Sequence, residues 1–208
     1  LSLVPRSPEL VDGFRLAIRR EIIEYDGEDV SFIVPAKALS EAVKLISDEE
    51  AAMKIGLGKK HMVFEVDDYV VVTRLLEGDF LNYKAAIPSS SATTVRINTK
   101  DFISSIERAS LIITDKLKSP VRCKFDNNTV SVSSTTVVGT ASDRVAAAIA
   151  GDSVEIGFNN RYLIEALNAS DTDEVIVKLN GAVSPILILP VEGESFLFLV
   201  LPVRLKAE

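Results

Sequence analysis

The sequence predicts an α+β fold built from tandem copies of one unit, in which a strand and a helix are followed by three further strands. Three observations predict it. Apolar residues recur at helical spacing in three short segments, each directly after a strand-like run. Three strand-like runs follow each of those segments, and a turn of hairpin-forming residues falls at the same place in every copy. The copies are about 60 residues long, longer than the units of the usual solenoids.

The first copy runs from Ser31 to Gly78 and opens with the strand Phe32-Ile33-Val34. Pro35 suits a helix start, because its fixed φ is pre-set for the first turn. Leu39, Ala42, Val43 and Ile46 then form the apolar stripe of a helix over 36–46, and strands follow at 51–57, 61–66 and 69–76. The second copy begins at Thr94 with the strand Val95-Arg96-Ile97. Asn98 or Thr99 caps its helix, Asp101 lies in the first turn, and Phe102, Ile106 and Ala109 make the stripe. Its strands are expected at 120–125, 129–134 and 136–141. The third copy begins at Ser153 with Val154-Glu155-Ile156, then the cap Asn159 and the stripe Leu163, Ala166 and Leu167. Its strands are expected at 174–179, 184–190 and 195–202. The recurring turns are Gly58-Lys59-Lys60, Asp126-Asn127-Asn128 and Asn180-Gly181, residue types that tolerate the positive φ of tight hairpins.

Upstream, Asp12 to Ile23 reads as one strand, the last of a preceding copy. Leu3-Val4-Pro5-Arg6-Ser7 resembles an engineered protease site, so residues 1–11 are set aside as a leader that fits no copy. The small polar stretch from Ile87 to Thr94 marks the domain boundary, giving a partial domain over 12–88 and a complete one over 89–208.

Composition narrows the function. With 47% hydrophobic and 25% charged residues the chain reads as globular, and its apolar runs are too short for a membrane span. The single cysteine, Cys123, forms no intramolecular disulfide, which agrees with a cytoplasmic protein. The net charge of -7 argues against a tight grip on nucleic acid, so any DNA contact must come from local basic positions on an acidic body.

No catalytic constellation is found. Gly56 to Lys60 lacks the earlier glycine and the Ser/Thr of a phosphate loop and reads as a hairpin turn. Asp26, Glu28 and Asp29 lack calcium-loop spacing and read as a solvated turn. His61, the only histidine, begins a strand with no nucleophile motif near it. Cys123 sits in an apolar alternation and reads as core, and no Cys/His cluster suggests a metal; no cofactor is expected.

The helices and the C-terminus carry more. Opposite the apolar stripes lie Lys37, Ser40 and Lys44 on the first helix, Lys100, Ser104 and Arg108 on the second, and Arg161 on the third. A solvated face is the default reading of such positions. Phe196 to Leu205 is unusually apolar for a chain end; a buried final strand accounts for alternate residues up to Val200 but less well for Pro202, Val203, Arg204 and Leu205.

In combination, the chain resembles the bacterial DNA sliding clamp, the beta subunit of DNA polymerase III. The resemblance is carried by Asp12-Gly13-Phe14-Arg15-Leu16-Ala17, Val34-Pro35, Leu76-Glu77-Gly78-Asp79-Phe80-Leu81-Asn82-Tyr83, Glu155-Ile156-Gly157-Phe158-Asn159 and Leu201-Pro202-Val203-Arg204-Leu205. Val11 departs from it, standing where the family usually has a small polar residue. The resemblance implies a non-catalytic processivity factor: two protomers, each of three domains with two copies apiece, close head to tail around duplex DNA, with helices lining the hole and sheets outside. It implies that this chain lacks the first domain and most of the first half of the second, so that it does not close the ring by itself. It turns Lys37, Lys44, Lys100, Arg108 and Arg161 toward the DNA for weak, sequence-independent contacts. It assigns a cleft that takes linear peptides from the polymerase III catalytic subunit, the clamp loader and repair polymerases to Gly13, Arg15, Leu16, Leu81, Val183, Pro185, Leu199, Leu201, Pro202, Val203 and Arg204, with Asn159 and Tyr162 at the rim. It places Leu111 and Ile112 at the ring contact. Two other readings remain at this stage: a free-standing peptide-binding module that never encircles DNA, and a hydrolase working through His61.

Overall fold

Each predicted helix follows its strand in the computed structural model, which describes residues 2–4, 7–22, 30–47, 52–114 and 119–205. The turn expected at Asp26, Glu28 and Asp29 lies outside the described residues. In chain order the elements are β1 (Ser2–Val4), β2 (Ser7–Val11), β3 (Arg15–Arg19), β4 (Phe32–Ile33), α1 (Ala36–Val43), β5 (Met53–Leu57), β6 (His61–Val66), β7 (Tyr69–Arg74), β8 (Thr93–Asn98), α2 (Thr99–Ser110), β9 (Val121–Asp126), β10 (Thr129–Thr136), β11 (Gly139–Gly151), β12 (Val154–Phe158), α3 (Asn160–Asn168), β13 (Glu174–Leu179), β14 (Ile186–Pro190) and β15 (Phe196–Val200). The repeats are therefore β4-α1-β5-β6-β7, β8-α2-β9-β10-β11 and β12-α3-β13-β14-β15. The architecture is α+β with antiparallel pairing, as the sequence predicts. Two compact bodies result, one of residues 1–10 and 19–82 and one of residues 11–18 and 83–208.

In the second body two repeats complete each other. The first strand of each pairs with the first post-helix strand of the other, β8 with β13 and β12 with β9. Helices α2 and α3 pack together over the sheets. One core results, with Phe102 and Ile106 of α2 and Leu163 and Leu167 of α3 set against Val95, Cys123, Phe125, Ile156 and Val177 of the strands. Asn98 caps α2 by accepting from the Asp101 N–H at 3.0 Å, and Asn159 caps α3 by accepting from the Arg161 N–H at 3.0 Å.

Strand β11 is much longer than the sequence suggests. The expected strand at 136–141 is broken by a hairpin turn at exposed Val137 and Val138, after which β11 runs from 139 to 151. It pairs with β10 through Ala146 and then with β8 from Ala147 onward, so one strand serves two neighbours. Its alanines, Asp143 and Arg144 carry little strand propensity, and partners on both sides supply what propensity does not.

In the first body β5, β6 and β7 form a meander, and α1 rests on β7 over Val34, Ala42, Met62 and Phe64. The turn at Gly58 closes with its N–H donating to His61 O at 2.9 Å, and the positive φ falls in the next hairpin, at Asp67. The expected helical stripe is only half buried. Ala42 is covered, but Val43 is 61% exposed, whereas Ile106 and Leu167, its counterparts four residues on from Phe102 and Leu163, are fully buried. Ile55, 58% exposed, and Leu57 behave alike; their counterparts Cys123 and Phe125 are buried. The cause is pairing: β9 has β12 and β13 has β8, while β5 is an edge strand.

The leader does take part in the fold, contrary to expectation. β1 pairs antiparallel with β2 and with β4, as β9 pairs with β10 and β12. A strand that earns its place by backbone pairing needs little sequence signature, and Pro8 hid this one.

Candidate functional site

The second body contains a junction where the N-terminal segment 12–18, α3 and the C-terminal tail meet. Strand β15 is apolar throughout because it is covered on both faces. Phe196, Phe198 and Val200 enter the main core, with the two phenylalanine rings stacked at 4.9 Å. Leu199 points the other way and joins Leu16, Ile18 and Leu187 in a second buried cluster, edged by Leu197, Leu201 and Tyr83. β14 pairs with β15 on one side, and β3 lies on the other. Leu16 and Leu199 are therefore the floor of the junction, and half-buried Leu201 is at its surface.

Beyond β15 the tail is tied down twice. Leu201 N–H donates to Phe14 O at 2.9 Å, and Val203 N–H donates to Gly157 O at 2.8 Å. The second tie requires a glycine on β12. A Cβ at position 157 would stand 2.7 Å from the Val203 carbonyl oxygen and 2.6 Å from Leu205 Cδ2.

The wall beside the tail is aromatic. The Phe14 ring stacks on Tyr162 of α3 at 6.0 Å, and the Arg15 guanidinium lies 4.4 Å from the Tyr162 ring centre. Arg15 Nε donates to Asp12 Oδ2 at 2.8 Å, and its Nη1 donates to Glu165 Oε2. Asp12 Oδ1 accepts from the N–H groups of Phe14 and Arg15, both at 3.1 Å, closing the turn in which Gly13 has φ +79°. Burial raises the Asp12 carboxyl, but the Arg15 hydrogen bond, the two amides and the Arg15 charge together pull it below its ordinary value. On the far side of Tyr162 is a cavity of about 470 Å³ lined by Ile113, Thr114, Pro120, Asn159, Tyr162 and Val203, among others.

The structure thus brings together Gly13, Arg15, Leu16, Leu199, Leu201, Asn159, Tyr162 and Val203, with Pro202 between two tied residues. Val183 is exposed and Pro185 half-buried on the β13–β14 connection, Arg204 is exposed, and Leu81 lies exposed in the first body. Sequence reasoning passed over Phe14, Gly157 and Glu165. Phe14 stood inside a quoted motif, and a large apolar residue directly after a turn glycine was the available signal. Glu165 had none, because its partner is 150 residues away.

The basic helix positions are exposed but partly neutralised. Lys44 pairs with Glu41 at 2.9 Å, and Arg108 Nε pairs with Asp143 of β11 at 2.8 Å. Lys37, Lys100 and Arg161 are exposed. At the end of α2, Leu111 is 80% exposed and Ile112 half-exposed, while Ile113 packs against the core. Cys123 is buried, and burial pushes its thiol up to about 12, so it offers no thiolate nucleophile. His61 is exposed at the start of β6. Among the described residues no cluster of His, Cys, Asp and Glu could hold a metal ion, and no helix is long and apolar enough to cross a membrane.

The family described as DNA polymerase III beta subunit, C-terminal domain, matches residues 84–204, and its central-domain counterpart matches residues 10–82. The beta sliding clamp of Staphylococcus epidermidis is 33% identical over 195 residues, covering 93% of this chain and 52% of that protein. The beta sliding clamp of Staphylococcus aureus is 32% identical with the same coverage. Among solved structures, the Bacillus subtilis DNA polymerase sliding clamp superposes with a TM-score of 0.90 at 27% identity, over 99% of this chain and 54% of that one. A sliding clamp of Bartonella birtlesii, solved bound to griselimycin, gives 0.84 at 30% identity, over 95% of this chain and 54% of that one. The chain spans about half the length of the curated relatives it matches.

Proposed function

Because the chain belongs to the DNA polymerase III beta subunit family, we propose that it is a section of a cytoplasmic DNA sliding clamp, a non-catalytic ring that encircles duplex DNA and tethers partner proteins. The observation that carries this reading is the junction of tail, α3 and segment 12–18. It offers an apolar floor, an aromatic wall and a few polar groups, which suit a short peptide with Leu and Phe anchors. Leu201, Pro202 and Val203 would seat the anchors, while Asn159 and Tyr162 would bond the peptide backbone or a Gln side chain. The peptides would come from the polymerase III catalytic subunit, the clamp loader and repair polymerases. Val183, Pro185 and Arg204 would complete the cleft around this centre.

DNA contact is assigned to Lys37, Lys44, Lys100, Arg108 and Arg161. With Lys44 and Arg108 already paired and a net charge of -7, the grip is weak, and encirclement rather than affinity retains the duplex. Two titrations test this. A peptide with Gln followed by spaced Leu and Phe should bind with little change between low and moderate salt. Duplex DNA should bind feebly, and two to three phosphate contacts should lose roughly 10- to 40-fold between about 50 and 200 mM salt. Tight, salt-insensitive or sequence-specific DNA binding would overturn the reading, as would failure to bind any such peptide.

Leu111 and Ile112 are assigned to the ring contact, whose partner surface we place in the first clamp domain. Their exposure, together with the uncovered Val43 and Ile55, predicts that this chain is a monomer at low concentration and associates weakly at high concentration. Sedimentation over a concentration series checks it, with Leu111→Asp and Val43→Asp together expected to abolish the association. A tight dimer that survives both changes contradicts the assignment.

A further inference from the structure

Building on the proposed cleft, we propose that Glu165 is a positioning residue for its aromatic wall. With Asp12 it clamps Arg15 across the ring of Tyr162, and so keeps that ring stacked on Phe14 before any peptide arrives.

The geometry has three parts. Glu165 follows Tyr162 by three residues on α3, so both side chains project from one face of the helix. Arg15 comes from a distant segment and presents a planar fork of donors, one used on Asp12 and one on Glu165, with the plane of the fork near the Tyr162 ring. Phe14, the residue before Arg15, stacks on the same Tyr162 ring at 6.0 Å. Asp12 is a local partner, held by the amides of the same turn, and steers only one edge of the guanidinium. Among the described residues, Glu165 is the carboxylate that ties Arg15 to the helix bearing Tyr162.

Holding the fold together is not its role. The Glu165 side chain is 51% exposed and that of Arg15 31%, and exposed ion pairs contribute little to global stability. What the pair can do is order two rotamer-rich side chains in advance, which removes that ordering cost from binding. The clamp also defines the ligand class. Arg15 is neutralised by two carboxylates, so the wall suits apolar, aromatic or neutral polar groups rather than an acidic anchor.

The test uses the whole chain with isotope-labelled tyrosine. There are four tyrosines, and Tyr162→Phe identifies the signal of interest. In Glu165→Ala the Tyr162 ring signal should move away from its stacked position with no peptide present. Affinity for the Gln-Leu-Phe peptide should fall about five- to tenfold as preorganisation is lost. The thermal midpoint should stay at the parent value, and Glu165→Asp should recover part of both effects. An unchanged Tyr162 signal overturns the proposal, and so does a large drop in thermal midpoint, which would make Glu165 a structural residue. Leu201→Asp in the same series separates the two ideas. If that variant binds peptide as well as the parent, the cleft reading fails, while the ligand-free tyrosine signal still judges Glu165.

Discussion

Gly157→Ala is expected to lift the C-terminal tail off β12 and to reduce peptide affinity by at least about tenfold while leaving the fold intact. The new Cβ would stand 2.7 Å from the Val203 carbonyl oxygen and 2.6 Å from Leu205 Cδ2. Leu205 can answer by rotating, but a backbone oxygen can retreat only if the chain moves. The movement strains the bond from Val203 N–H to Gly157 O, now 2.8 Å, and carries Leu201, Pro202 and Arg204 with it. Overpacking of this kind costs about 1–3 kcal/mol, and most of it should be relieved by local detachment of the tail. β12 as a whole pairs with β9 through five residue pairs, and that pairing should hold. Calorimetric titration reads the affinity, and circular dichroism reads the fold. Gly56→Ala is the control, since a Cβ there meets only Val63 Cβ at an ordinary 3.7 Å. Parent-like binding by Gly157→Ala would refute the assignment of the tail to the cleft.

Charging the two leucines of the junction should give two different outcomes. The sequence treats Leu16 and Leu201 alike, as apolar members of one cleft. In the structure Leu16 is 3% exposed and packs against Leu187 and Leu199, whereas Leu201 is half-buried at the surface. Leu201→Asp can turn its carboxylate to solvent, so stability should change little while peptide binding falls by at least about tenfold through loss of an apolar seat. Leu16→Asp must bury a carboxylate with no basic partner in its cluster or expel β3, and should cost about 3–5 kcal/mol. Denaturant titration distinguishes them. Equal stability of both variants would show that the floor of the junction is open rather than packed.

The legible and illegible parts of the site divide along the same line. Asn159 was readable as a cap, and Asn98 as one of two candidates beside Thr99, because a cap bonds an amide two or three residues away. The apolar tail was readable as unusual, and its explanation required β3, which packs beside β15 although the two strands are far apart in the sequence. Arg108 was readable as a cation on a helix face, but its partner Asp143 sits on β11 and competes with a phosphate for that cation. Arg15 was readable as a cleft residue through a resemblance, and its bond to Glu165 was not readable at all.

By itself the sequence determined the order of elements, the threefold repeat and the caps, since each depends on periodicity or on neighbours within a few residues. Only the tertiary structure decided which apolar faces are covered. Val43, Ile106 and Leu167 hold the same place in three similar helices, yet Val43 is exposed, and among the described residues no strand pairs with the outer edge of β5 as β12 pairs with β9. It also decided that residues 2–4 and 7–11 are strands, that β11 runs through to Gly151, and that Gly157 must remain bare under the tail. The physical reason is common to all of these. A chain's periodicity says which face of an element is apolar, but burial, ion pairing and close approach are properties of what arrives opposite that face, and those partners come from distant parts of the chain.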